Sequence, residues 1–596
     1  MPPLADIRFV LDHLVDIEGL CALDAFAHVD PATLHGVLEE SGRFFADVVA
    51  PLYRPADASG GSRWQDGEVH TPDGYPDAYG AYVEAGWNAV PFPEAYGGGG
   101  FPWITAIAMQ EMLTSADLSF SMAPLLTQGA IDMLLHYGSE EQKEVYLPKM
   151  VTGEWSGTMN LTEPQAGSDV GALRTRAVPV DDGSYRITGT KIFITFGEHD
   201  LTDQIVHLVL ARIPDAPPGT KGISCFIVPK YLLNEDGSLG ERNDVRCASV
   251  EHKMGIKASP TCVLNYGDEG GAVGYLIGEE HQGMRYMFKM MNSARLSVGV
   301  QGLALGERAY QQALAYALER KQGRAPGAPA GEQSLIVEHP DVRRMLLTMR
   351  ASNEAMRALL YTNGVAFDRA AHHPDEGQRD KAQALADLLT PMTKGWCTDL
   401  GVELTSLNIQ VHGGMGFIEE TGAAQLYRDS RIPPIYEGTN GIQAMDLVGR
   451  KLPMEGGAVV QDHLAQIRET SGNLSDGLAD VGKSLEEALG ALEEATTWLF
   501  ENGLANPLDA LAGATPYLRL ASVVTAGWLM AKQAETASRL ATEAPSDSER
   551  GYYEAKVATA RFFCTQLLPQ ARGLVPAVTA GSSALFHLTP SALSSR

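Results

Sequence analysis

One carboxylate has surroundings fit for chemistry. Residues 431–443 read RIPPIYEGTNGIQ, and Glu437 is the single acid among them. Pro433 and Pro434 cannot lie inside a helix, so the spacing predicts a rigid, extended approach over Ile435 to Glu437. Gly438 and Gly441 let a ligand come close to the backbone. Thr439 and Asn440 offer a hydroxyl and amides to an acceptor. From Ile442 the pattern turns helical, and the first N–H groups of a helix favour an anion such as a phosphate. In this setting Glu437 is a candidate general base. The same letters also fit a Pro-rich turn with a solvated Glu.

Two further segments carry glycines and hydroxyls. Gln410 to Phe417 reads QVHGGMGF, and Met159 to Asp169 reads MNLTEPQAGSD. In order and separation the three segments resemble the acyl-CoA dehydrogenase family, flavoenzymes that put a 2,3-double bond into acyl-CoA thioesters. The resemblance covers about residues 40 to 450. The length, the leader and an extra C-terminal region resemble one long bacterial branch, whose substrates are 3-methylmercaptopropionyl-CoA or fatty acyl-CoA. The implied fold is mainly α with a middle β domain: an N-terminal helical domain, a β-barrel-like middle domain and a C-terminal four-helix bundle. An extra C-terminal helical domain follows. The implied cofactor is non-covalent FAD. The implied reaction takes a proton from the α-carbon and a hydride from the β-carbon to flavin N5, with electrons passed to an electron-transfer flavoprotein.

The resemblance also assigns roles. Glu437, in YEGT, occupies the family's commonest catalytic position. An α-proton of a thioester is weakly acidic, so its base must touch the substrate with water removed. Met159, Leu161, Thr162, Gly167 and Ser168 are implied to hold the flavin, with Ser168 also facing CoA. Phe193 stands where many members have Trp or Tyr against the ring, followed by Ile194 and by Thr195 near N5 or O4. Read alone, 193–195 is a strand with a core Phe. Arg320 and Gln322, in ERKQGR, match a motif whose Arg reaches the FAD phosphates across a subunit contact. The Phe of that motif is absent, since Gly323 follows Gln322, and Arg324 is an alternative charge. Gln410, Gly413 and Gly414 are implied to approach the neighbouring subunit's FAD, and Thr439, Asn440 and Gly441 that of their own chain. Asn292 and Arg295 lie one helical turn apart and, with Ser168 and Gly438, are implied to bind substrate. His412 reads as structural, since no second His or Cys completes a metal site.

Elements must hold these segments. Helical spacing over residues 5–50 predicts a packed leader, 56–74 a polar loop, 79–86 a short helix and 91–102 a Gly/Pro loop. Helices follow over 104–137 and 139–151, the second opened by Ser139 and Gln142 as a capping box. After Gly153 the period falls to two, predicting strands at 155–161, 184–195, 205–213, 222–228 and 261–266, with a hairpin turn at Asp182-Gly183. Long helices return at 284–322, 341–371 and 380–408, with a flexible loop at 322–334. Ile467, Leu474, Leu478, Val481, Leu485, Leu489 and Leu492 form one apolar stripe, and further helices are expected at 510–540 and 548–566. The domain borders read 1–40, 41–153, 154–280, 281–452 and 453–596.

Composition narrows the function. The chain has 596 residues, 44% hydrophobic, with net charge −28. That is a multidomain globular composition, unsuited to a phosphate backbone or an anionic membrane surface. Residues 451–596 hold 11 Lys and Arg against 16 Asp and Glu, which argues against the nucleic-acid-binding relatives of this fold. Glu437 argues against the oxidase and monooxygenase relatives, which can lack it. The six cysteines show no CxxC and read as free thiols in a reducing cytoplasm. The N-terminus lacks the regions of a signal peptide, and the best membrane candidate, 520–531, is too short to span. The expected assembly is a homodimer, the extra helical region covering a surface that otherwise pairs two dimers.

Overall fold

The computed structural model describes residues 2–503 and 505–594, leaving aside the side chains of 288–290. Two compact units result, one over Ala32–Ser297 and one joining Pro3–Pro31 to the chain from Val298 onward.

The first unit opens with helices and closes with a sheet. Helices Trp103–Ala116 and Leu118–Tyr137 are apolar on every side and buried almost throughout. Asp117 breaks them apart with an extended backbone, and its carboxylate accepts from Phe120 N and from the buried Tyr75 Oη at 2.6 Å. Helix Leu118–Tyr137 is long and apolar enough to cross a membrane, yet most of it is buried in this unit, so it reads as a core helix. Ser139 and Gln142 form the expected reciprocal capping box. Residues 56–74 are not the plain loop expected. Arg63–Gln65 and Glu68–His70 form a hairpin, turned by Asp66 and Gly67 at positive φ. Asp-Gly between short extended runs is a hairpin signal that the polar composition masked. The short helix runs Tyr75–Glu84, four residues earlier than its expected start at Tyr79, because Gly74 and Pro76 open it.

The sheet order is Val245–Val250, Thr261–Tyr266, Tyr185–Thr195, Ala272–Leu276, Ser224–Pro229, Gln204–Ala211 and Trp155–Asn160. Arg176–Pro179 joins it against Tyr185–Thr195 across the Gly183 turn. The long strand pairs with 261–266 through its second half and with 272–276 through its first, so it bends across both parts of the sheet. Tyr266 Oη donates to Asn160 Oδ1 at 2.9 Å, tying distant strands together in the buried interior. Strands at 176–179, 231–233, 239–242, 245–250 and 272–276 were not expected. They are three to six residues long, too short for an alternating pattern to stand out in the sequence.

The second unit is helical. Gly283–Glu319 supplies it from Val298 onward, with Pro340–His372 and Glu376–His412 beside it. A Cβ on Gly302 would lie 2.1 Å from Cys397 O, so these helices cross with their backbones in contact. The last region packs around Ala514–Glu543, whose stretch 520–531 is buried throughout. Leu478, Val481, Leu485, Leu489 and Leu492 are buried as the stripe requires. Leader helix Leu4–His13 belongs to this unit, where buried Lys556 pairs with Asp6 at 2.7 Å and Glu354 at 3.2 Å.

Candidate active site

The carboxylate loop is a turn, not the extended approach expected. Ile435 N and Tyr436 N both donate to Ile432 O, and Asn440 N donates to Pro434 O at 3.0 Å. The fixed φ of proline serves a turn as readily as an extended run, and only the hydrogen-bond partners choose. Glu437 follows at φ +52 and Gly438 at φ +80. A side chain on left-handed backbone costs roughly 1–2 kcal/mol. Gln443, fully buried on helix Asn440–Asp446, offsets this by donating from Nε2 to the carbonyls of Gly438 at 3.2 Å and Glu437 at 3.4 Å.

The same helix is pinned by Asn440. Its Oδ1 accepts from the buried Lys394 Nζ at 2.9 Å, and its Nδ2 donates to Gly395 O at 3.0 Å and Asp399 Oδ1 at 2.7 Å. Thr439 Oγ1 caps the helix by accepting from Ile442 N. The side chains of Thr439 and Asn440 are thus engaged inside the protein. Tyr436 Oη donates to Gln301 Oε1, and burial, together with the nearby Glu437 charge, holds that phenol well above its ordinary range. Gln301, Lys394, Asp399 and Gln443 were not singled out from sequence. Nothing in their local spacing marks them.

In the first unit, Glu163 turns inward. Its carboxylate accepts from Arg174 N at 2.7 Å, Thr175 N at 3.0 Å, Thr175 Oγ1 at 2.6 Å and Lys191 Nζ at 2.9 Å. Burial alone would raise its pKa, but Lys191 and these donors bring it down to about 2. Burial pushes Lys191 down to about 8 against the pull of Glu163. Lys191 Nζ also donates to Leu161 O, and Ile192 N to Thr162 O at 2.9 Å. Residues 161–163 are thereby stitched to strand Tyr185–Thr195.

That strand bulges where it meets the loop. Ile194 pairs with Cys262 and Lys191 with Leu264, so Ile192 and Phe193 together face one residue. Phe193 stands at φ +60 and is 58% exposed, so the core-Phe reading fails and its ring is turned outward. Ile194 is buried in the hydrophobic core of the sheet, leaving only its backbone for a ligand. Gly167 and Ser168 are exposed, and the space a Cβ on Gly167 would take is open. Leu161, Thr162 and Thr195 are half-buried, Met159 buried. Arg295 is buried, with Nη1 3.4 Å from Asn292 Oδ1 as their spacing implied.

The remaining predicted residues meet at one corner of the second unit. Tyr316 stacks on His412 with ring centroids 4.4 Å apart. Arg320 follows Tyr316 by one turn and is exposed, as are Gln322, Gln410, Gly413 and Gly414. Gly413 adopts φ +59 and ψ −138, which glycine alone tolerates well. Tyr316 and Gln301 share one helix fifteen residues apart, or about 22 Å of rise. The corner is therefore well separated from Glu437 of the same chain.

Four family models match the chain in order. They are acyl-CoA dehydrogenase N-terminal domain at 37–154, middle domain at 158–268, C-terminal domain at 281–452, and an acetyl-CoA dehydrogenase C-terminal-like domain at 462–589. A 3-methylmercaptopropionyl-CoA dehydrogenase of Ruegeria pomeroyi is 48% identical over 95% of both chains. The chain belongs to the acyl-CoA dehydrogenase family. The reach of that match places the last region inside the family too, among its long members. A butyryl-CoA dehydrogenase of Syntrophomonas wolfei is 37% identical over 98% of each chain, and the broad-specificity linear acyl-CoA dehydrogenase FadE5 of Mycobacterium tuberculosis 35% over 95% of each. The acyl-CoA dehydrogenase fold extends to solved structures. That of Bacillus anthracis acyl-CoA dehydrogenase complexed with FAD gives a TM-score of 0.74 at 22% identity, covering 96% of this chain and 91% of that one. Caenorhabditis elegans ACDH-11 in complex with C11-CoA gives 0.75 at 19%, covering 97% and 95%.

Proposed function

We propose that this oxidoreductase is an FAD-dependent acyl-CoA dehydrogenase in which Glu437 removes the α-proton of an acyl-CoA thioester to give the trans-2-enoyl-CoA. One observation carries the reading: Glu437 is held at φ +52 by hydrogen bonds from the adjoining helix. Strain maintained by surrounding structure is more common at functional sites than at surface turns. The relative at 48% identity favours 3-methylmercaptopropionyl-CoA as substrate, and the relatives at 35% and 37% favour straight-chain acyl-CoA.

The residues present fit the cofactor. Phe193 offers an exposed ring face on the strand that carries Thr195, and Gly167 with Ser168 offer open backbone and a hydroxyl. Met159, Leu161, Thr162 and Ile194 would complete that seat, with Thr439, Asn440 and Gly441 contributing backbone. Bound there, FAD supplies the acceptor for the β-hydride. Ser168, Asn292, Arg295 and Gly438 would orient the thioester and CoA, and Glu437 would take the proton.

Arg320, Gln322, Gln410, Gly413 and Gly414 would serve the dinucleotide of a second copy. Their distance along the helix from the Glu437 loop supports that assignment, and so does an exposed apolar cluster beside them. Met415, Phe417 and Ile418 are all exposed, Phe417 by 85%, and a homodimer would cover them. The electron acceptor would be an electron-transfer flavoprotein. Six free, buried cysteines suit a cytoplasmic setting. The five-part division at residues 40, 153, 280 and 452 belongs to the same proposal. Anaerobic titration with a panel of acyl-CoAs tests it. The physiological class should bleach the flavin stoichiometrically, and no bleaching by any thioester overturns the reading.

A further inference from the structure

We propose that the last helical region positions the base, with helix Ala514–Glu543 acting as the backing of the Glu437 loop. The proposal rests on the reading of Glu437 as the base. Both anchors of that loop bear on one stretch of helix Glu376–His412. Asn440 is bonded to Lys394, Gly395 and Asp399. Gln443, which holds the carbonyls of Glu437 and Gly438, has its Cβ 3.7 Å from where a Cβ on Gly395 would stand.

The same stretch is closed by the last region. A Cβ on Gly395 would lie 2.5 Å from Leu518 Cδ2, so a larger residue there would push Leu518 out of its present seat. Leu518 is buried. Two turns further along, Glu403 accepts from Arg519 at 2.7 and 3.3 Å. Leu518 and Arg519 thus fix the segment that fixes Asn440 and Gln443. Neither Leu518 nor Arg519 is itself assigned to substrate or cofactor. The left-handed pair at 437–438 depends on long hydrogen bonds, so a small shift of the 394–403 segment is transmitted to the carboxylate. A misplacement near 1 Å costs on the order of 10²-fold in rate.

The test uses the full-length holoenzyme and three variants: Leu518→Ala, Gly395→Ala and Arg519→Met. Arg519 is half-exposed, so its variant folds even where the core variants do not. Two readouts are taken per bound flavin: anaerobic flavin reduction by acyl-CoA, and exchange of the substrate's α-hydrogens in D2O followed by NMR. Both should fall, by about 10- to 100-fold in the core variants and severalfold in Arg519→Met, while acyl-CoA affinity and flavin content hold. Leu518→Met should restore most of the rate. Wild-type reduction and exchange in flavin-loaded variants, Arg519→Met included, overturn the proposal. Glu437→Gln, run alongside, separates the two readings. Retained reduction there overturns the base assignment and the proposal with it, whereas its loss beside normal Leu518, Gly395 and Arg519 variants overturns the proposal alone.

Discussion

Lys191 Nζ lies 2.9 Å from Glu163 Oε1, with the two side chains 0% and 3% exposed. The pair is well satisfied, since Lys191 also donates to Leu161 O and Glu163 also accepts from Thr175 and Arg174. Its geometry sets the relation between loop 161–163 and the bulge at Phe193. Lys191→Met would leave a buried carboxylate without its cation, at a cost of about 3–5 kcal/mol. Thermal melts should show that loss together with weaker flavin retention, and adding Glu163→Gln should recover part of it.

Acid should act through the same carboxylate. Glu163 sits at about 2 when folded against 4.5 in the open chain. A depressed carboxyl contributes stability that is fully present above pH 4.5 and is lost as pH falls toward 2. Urea midpoints across that window should fall more steeply for the wild type than for Glu163→Gln. Parallel slopes would refute the assignment.

Glu437→Gln keeps the size and much of the hydrogen bonding but cannot take the α-proton. Flavin reduction should drop by about 10²–10⁴-fold or more, while the variant stays yellow and still binds acyl-CoA. Stopped-flow absorbance decides it, and near wild-type bleaching would move the base elsewhere.

The exposed corner predicts the assembly. Light scattering of the intact chain should give a homodimer, and a stable tetramer would contradict that. Phe417→Asp should shift the population toward monomer and lower flavin occupancy, because Arg320 and Gln410 would lose the dinucleotide proposed for them.

The released cofactor is a separate check. Mass spectrometry after heating should find FAD, since assigned segments spread so widely suit a dinucleotide more than a mononucleotide. FMN would refute the assignment.

The sequence by itself determined what depends on near neighbours. The capping box at Ser139, the alternating strand Thr261–Tyr266, the long helices and the stripe through Leu485 all follow from groups a few residues apart. The three motifs around Glu163, His412 and Glu437 were enough to identify the family. Tertiary structure decided what depends on distant partners. Pro433 and Pro434 were read as an extended run and form a turn, because Ile432 O and Asn440 N close it. Glu163 has no assigned role in its motif as read along the chain, and Lys191, 28 positions on, gives it one. Asn440 looked free to meet a ligand, and Lys394, 46 positions back, holds its side chain. Hydrogen bonding and close packing act through space, and spacing along the chain records them only when the partners are local.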